Sequence, residues 1–295
     1  MNQKHALAME AFLSSQPKSL SPKTISHKRW CVTQLFEYLE GNGIQGFRGI
    51  KPQTVYDYIC SLDCASQTKS GLAFTVRELF DFLYESGTMP FDGHRIFPVI
   101  FTNKRDRILS FYTEDEVKRI VAAIDLKAMN GVRDKCLVML AACAGLRASD
   151  IFGLRLDEIN WSKLVIEKVQ HKTKNRVSVP ITEGLALLLA DYIKNKRPSS
   201  ESPFVFLGNK LGKRYAGTEM YSILGRLMAK AGVEAKGRKR GPHALRHSLA
   251  ANLLSKETPM PVITGILGHK NINTTSAYLS IDVEGLRKCC LEVDE

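Results

Sequence analysis

Between residues 242 and 282 the chain gathers two imidazoles, a guanidinium and a phenol: His243, Arg246, His269 and Tyr278. A guanidinium grips the non-bridging oxygens of a phosphate in a fork, and an imidazole donates or shuttles a proton. A phenolate can attack phosphorus and form a covalent ester. Together these side chains suit work on a phosphodiester. The spacing suggests how they are held. His243 and Arg246 lie three apart, so on a helix they share a face. His269 follows Gly268, a residue suited to ending a helix, and Thr274 or Thr275 reads as the N-cap of a short helix carrying Tyr278.

Each of these residues alone has an ordinary explanation: a packed tyrosine, a capping histidine, a chance His-x-x-Arg in a basic protein. The ordered set is more specific. H-x-x-R, then L-G-H, then T-T-x-x-Y, with the tyrosine nine residues after the histidine, resembles the C-terminal signature of the tyrosine recombinases, the phage integrase family. Upstream, the stretch A-G-L-R-A-S-D-I, followed by Leu154 three residues on, is similar to the family's first box. The resemblance implies that Arg147 and Arg246 clamp the scissile phosphate and that Asp150 helps hold the basic groups. The competing reading of Arg147 and Asp150 is a weak surface ion pair. Two alternating stretches, residues 164–169 and 176–181, read as strands joined by a turn. The family keeps a catalytic lysine on such a turn. Lys172, directly before Thr173, fits that place, and Lys174 competes for it.

The resemblance also implies a reaction. Tyr278 is the nucleophile, His243 and His269 hydrogen-bond the phosphate and assist proton movement, and Lys172 protonates the departing 5′ oxygen. The product is a 3′-phosphotyrosyl link, which can be resealed without ATP. Neither a metal-binding carboxylate cluster nor a Gly-rich phosphate loop is evident, so no cofactor and no metal are expected.

The elements that must position these groups fall into two domains, as 295 residues suggest. Residues 1–103 read as helical: a short piece over residues 6–13, a helix behind Ser21 and Pro22, one opened by Pro52, and one over residues 66–85. The second helix has Ile25, Trp30, Val32, Leu35, Phe36 and Leu39 as its apolar face, and Lys23, Lys28, Arg29, Lys69 and Arg77 are expected at the surface. The resemblance makes this a SAM-like core-binding domain that clamps duplex DNA. Residues 104–110, basic after a proline-containing stretch, read as the linker. Residues 111–295 open on a capping box from Thr113 to Glu116, and the resemblance implies that they form a mixed α/β catalytic domain closed by a tail that docks on a neighbouring protomer. The expected fold is mainly α with a small β-sheet.

Charge agrees with a polyanionic partner. The net charge is +12, and it is uneven: residues 1–106 hold 12 Lys and Arg against 10 Asp and Glu, whereas residues 107–295 hold 30 against 20. The basic run at residues 236–240 leads straight into Pro242 and reads as a phosphate-contacting loop. Seven cysteines without paired C-x-x-C spacing indicate reduced thiols, with Cys136 and Cys143 as small core residues. With no apolar membrane run and no signal core, the expected location is the cytoplasm, on the nucleoid.

The function expected is site-specific recombination on double-stranded DNA by a homo- or hetero-tetramer holding two sites and passing through a Holliday junction, with no small-molecule substrate and no membrane. It would serve integration and excision of a mobile element or resolution of dimers, in the manner of short Xer-like or transposon-borne members. Type IB topoisomerase-like relaxation and non-catalytic DNA binding are the alternatives.

Overall fold

A computed structural model of the chain describes residues 1–97, 110–170, 175–208 and 219–268. It divides into two compact units, Met1–Arg107 and Ile108–Glu295. The architecture is mainly helical with one three-stranded sheet, as the sequence leads one to expect.

The first unit holds α1 (Gln3–Ser14), α2 (Pro22–Gly41), α3 (Pro52–Ser61), α4 (Ser66–Glu85) and the one-turn α5 (Gly93–Ile96). Ser21 caps α2 by accepting from the Thr24 backbone, and Pro22 takes the first turn, where its missing N–H costs nothing. The core collects Phe12, Val32, Leu35, Phe36, Leu39, Val55, Val76, Leu79 and Phe80. α5 was not expected; it adds Ile96, with Phe91 and Phe97 beside it, to that core. Two expectations fail here. Trp30 is 48% exposed, and its neighbour Cys31 fills the inward position instead. The other is Lys28, which lies buried between helices, with Nζ donating to Glu78 at 2.8 Å and to Gln16 at 2.6 Å. Arg29 forks onto Glu10 and Arg77 donates to the Phe97 carbonyl, so both serve the fold.

The second unit starts at the Thr113 capping box, in which Thr113 and Glu116 satisfy each other's backbone N–H, and runs into α6 (Glu114–Ala122). α7 (Gly131–Ala142) is the central core helix, and α8 (Ala148–Phe152) follows it. β1 (Ile159–Asn160), β2 (Val165–Val169) and β3 (Arg176–Pro180) make an antiparallel meander in the order β1-β2-β3. β1 is an addition to the two strands expected. Ile166 faces Ile159 on one side and Val179 on the other, and Ile166, Val177 and Val179 point into the core. α9 (Glu183–Asp191), α10 (Glu219–Lys230), α11 (Pro242–Ser255) and α12 (Met260–Leu267) complete the described α-helices. α9 ends in a π-helical turn, Tyr192–Lys196.

One more expectation needs correction. Cys136 is buried, but Cys143 sits exposed at the C-cap of α7, where the helix face has turned outward. The basic run at 236–240 is built into the fold through Arg238. Its guanidinium forks onto Glu116 at 2.7 and 2.8 Å, donates to the Phe111 carbonyl at 3.2 Å and lies over the Tyr112 ring at 4.2 Å. The same region is fastened by Lys239 N to Ser110 Oγ at 3.0 Å and by Tyr112 N to Ser248 Oγ, on α11, at 2.8 Å.

Candidate active site

α7 stops because Gly145 takes a left-handed turn, with φ +62°. A Cβ there would stand 2.9 Å from Leu249 Cδ2 and 3.1 Å from Leu267 Cδ2, so a side chain would have to shift leucines of α11 and α12 as well as hold a left-handed φ. Two residues later Arg147 caps α8, its side chain nearly buried. Asp150, fully buried one turn along, holds a carboxylate oxygen 3.9 Å from Arg147 Nη1. The pair is therefore an interior one, and the surface reading is set aside.

Arg246 occupies the second turn of α11 and is 2% exposed. Its Nη1 donates to the Gly145 carbonyl at 2.5 Å and its Nη2 donates to the Leu267 carbonyl. A buried guanidinium needs acceptors for its donors, and two carbonyls supply them, one in the turn after α7 and one at the last residue of α12. Leu267 is the last residue of α12, which Gly268 closes in a left-handed turn with φ +60°. Gly268 too has no room for a side chain: a Cβ would meet Gln170 Nε2 at 2.5 Å and Val177 Cγ1 at 2.6 Å.

Gln170 was not singled out in the sequence. It stands at the end of β2 and is 1% exposed. Arg147 Nη1 donates to its Oε1, and its own Nε2 donates to the Leu267 carbonyl at 3.2 Å. Its backbone N–H donates to Asn175 at 2.9 Å, the last rung of the hairpin before residues 171–174. The two arginines thus converge on one carbonyl, Arg246 directly and Arg147 through the carboxamide. No spacing rule marks Gln170; the signal in hindsight is a polar residue that continues a strand at a core position.

His243 begins α11 and is exposed, unlike Arg246 one turn away. Its ring stacks beside that of His247, with centroids 6.2 Å apart and planes at 27°. The shared face expected for His243 and Arg246 therefore resolves into an outer imidazole and an inner guanidinium. Lys172, His269 and Tyr278, as well as the competitor Lys174, lie outside the described residues.

Lys168 steadies the same region from beneath. It is buried in β2, with Nζ donating to the Gly153 carbonyl at 2.7 Å and to Glu158 at 2.7 Å. Gly153 caps the C-terminus of α8, so the lysine neutralises that helix end and fixes the helix that Arg147 begins.

Residues 110–284 match the sequence model of the Phage integrase family. The chain belongs to that family. Among its relatives, the putative integrase/recombinase y4gC of Sinorhizobium fredii is 31% identical over 185 residues, 62% of this chain and 95% of that protein. Tyrosine recombinase XerC of Thermodesulfovibrio yellowstonii is 28% identical over 249 residues, 80% of each chain. The fold is shared with solved structures of recombinases and integrases. XerH site-specific recombinase bound to palindromic difH substrate, a post-cleavage complex, aligns with a TM-score of 0.75 at 16% identity, covering 97% of this chain and 95% of that one. A lambda integrase dimer bound to a COC′ core site aligns with a TM-score of 0.75 at 15% identity, covering 100% and 98%.

Proposed function

We propose that this integrase-family protein is a site-specific recombinase that cuts and rejoins double-stranded DNA through Tyr278, with Arg147, Lys172, His243, Arg246 and His269 as its other catalytic residues. The single observation that carries the reading is the pair of arginines, Arg147 and Arg246, tied to one carbonyl at the end of α12. Two guanidiniums fixed by buried partners need no reorganisation when charge builds on a phosphorane-like transition state.

The phenolic oxygen of Tyr278 attacks phosphorus while Arg147 and Arg246 hold the non-bridging oxygens. As the new P–O bond forms, the P–O5′ bond breaks and Lys172 delivers a proton to the leaving oxygen. His243 and His269 hydrogen-bond the phosphate, and the phenol's proton leaves through this basic cluster. A phenol has a pKa of about 10, and nearby positive charge favours its ionised form. The result is a 3′-phosphotyrosyl ester and a free 5′ hydroxyl. Attack on that ester by a 5′ hydroxyl reverses the chemistry, so strands exchange without an external energy source.

The wider assembly belongs to the same reading. Two recombinase-bound sites come together as a tetramer in the cytoplasm, and the strands pass through a Holliday junction. The helical unit, with the linker at 104–110, positions the duplex by phosphate contact, and the tail beyond residue 282 docks on a neighbouring protomer. The purpose is integration and excision of a mobile element or dimer resolution, and the likenesses to a putative integrase/recombinase and to a tyrosine recombinase support recombination as the activity.

The test uses a duplex carrying a nick next to the scissile phosphate, so that the cleaved fragment diffuses away and the adduct accumulates. The full-length protein should form a covalent protein–DNA adduct, and Tyr278→Phe should form none. An undiminished adduct in Tyr278→Phe removes the nucleophile assignment. Joint products between two labelled duplexes identify recombination, whereas relaxation of supercoils without joint products identifies a topoisomerase-like enzyme.

A further inference from the structure

We infer that Gln170 is a positioning residue that sets Arg147 in register with Arg246, an inference resting on the catalytic roles proposed above for the two arginines. Its side chain is 1% exposed and spans the gap between the two basic boxes. Arg147 Nη1 donates to Oε1, while Nε2 donates at 3.2 Å to the Leu267 carbonyl, which also accepts from Arg246.

The chemistry of the three partners dictates the residue type. A guanidinium offers only donors and a carbonyl offers only an acceptor, so the group between them must accept on one side and donate on the other. A neutral carboxamide does both. A carboxylate accepts on both sides; it would neutralise Arg147 and set negative charge against the Leu267 carbonyl. An apolar side chain would leave a buried carbonyl and a guanidinium N–H with a partner missing.

The backbone limits the choice as well. Gln170 is locked at the last rung of the hairpin by its N–H to Asn175, and Gly268 leaves room for its Nε2 where any Cβ would strike it at 2.5 Å. The backbone bond fixes the residue's place along the strand, and the bare Gly268 lets the carboxamide reach α12. Shape on one side and hydrogen bonding on the other hold Arg147 to the frame that holds Arg246.

The experiment is single-turnover cleavage of the nicked duplex by the full-length protein, read together with duplex affinity. Gln170→Glu keeps the volume and replaces the bond to the Leu267 carbonyl with two facing acceptors; Gln170→Leu removes both bonds. Each should slow covalent adduct formation roughly 10²-fold, the loss typical of a catalytic group displaced by about an ångström, with affinity changed less than about threefold. The same substitutions placed on Arg147→Ala should cost less than about threefold further, because the group they position is gone. Thermal melting accompanies each variant, and if the leucine form does not fold, the glutamate form decides. Cleavage at the wild-type rate in Gln170→Glu, or an equal loss with and without Arg147, would overturn the inference. Failure of the wild-type protein to form any adduct would instead remove the recombinase reading and is distinguishable from both.

Discussion

At the scale of single residues, the site depends on atoms that are absent as much as on those present. Gly268 closes α12 in a left-handed turn and leaves a slot that Gln170 Nε2 and Val177 Cγ1 occupy. Replacing it with alanine asks an L-residue to hold φ near +60°, at about 1–2 kcal/mol. It also drives a methyl into the carboxamide, which adds roughly 1–3 kcal/mol of overpacking. Gly268→Ala should therefore lower the urea midpoint without changing the slope of the transition, and it should slow cleavage through the displaced carboxamide. A midpoint within error of wild type would show that the turn relaxes freely. Gly232, by contrast, has φ +63° and nothing within 4 Å of its Cβ position, so alanine there should cost only the backbone term.

At the scale of elements, the forked bond from Arg238 to Glu116 joins the first turn of α6 to the basic run before α11. The Arg238 guanidinium, followed by the Thr113 backbone N–H, pulls the Glu116 carboxyl down to about 2. An ordinary glutamate in the unfolded chain titrates near 4.3. The folded state thus binds this proton more weakly, and the contribution is complete above about pH 4.3 and lost as pH falls toward 2. Glu116→Gln should cost roughly 1–3 kcal/mol at neutral pH in denaturant titrations, with the gap to wild type closing across that acid window. A gap that stayed constant with pH would assign the loss to packing. These elements also show what the sequence could and could not disclose. The capping box, the proline-opened helices and the outward–inward alternation of β2 and β3 were legible because each is a local pattern. Lys28 was misassigned because its partner, Glu78, lies fifty positions away, and nothing beside Lys28 announces it. Gln170 was passed over for the same reason: the carbonyl that gives it meaning belongs to Leu267. Trp30 and Cys31 exchanged places because the buried stripe of α2 runs through Cys31, Leu35 and Leu39 and through Lys28, Val32 and Phe36, which leaves Trp30 beside it at 48% exposure.

At the scale of the whole molecule, the excess of positive charge lies in residues 107–295, and the first unit is close to balanced. Its balance is partly internal, since Lys28 and Arg29 are matched by Glu78 and Glu10. DNA affinity should fall steeply with salt, because each neutralised phosphate releases counterions. Within the first unit the lysines should divide. Lys23→Gln, at an exposed position on α2, should reduce the logarithmic salt slope by about 1 if that helix meets the backbone. Lys28→Met should leave the slope unaltered and instead lower the melting temperature, because it strips a partner from Glu78 and Gln16. Filter-binding titrations over a range of salt, set beside melting curves, separate the two; a reduced slope in Lys28→Met would contradict its interior role.

The fastening of residues 110–112 has a mechanical consequence. Ser110 Oγ, the Phe111 carbonyl and the Tyr112 N–H are each gripped by the stretch running from Arg238 to Ser248, and Ser248 shares α11 with Arg246. A tug on the polypeptide at residue 110 is therefore borne by Lys239 and Arg238 and, through the Tyr112 N–H and Ser248, by the helix that carries Arg246. Tension entering the second unit at residue 110 would thus be felt at α11.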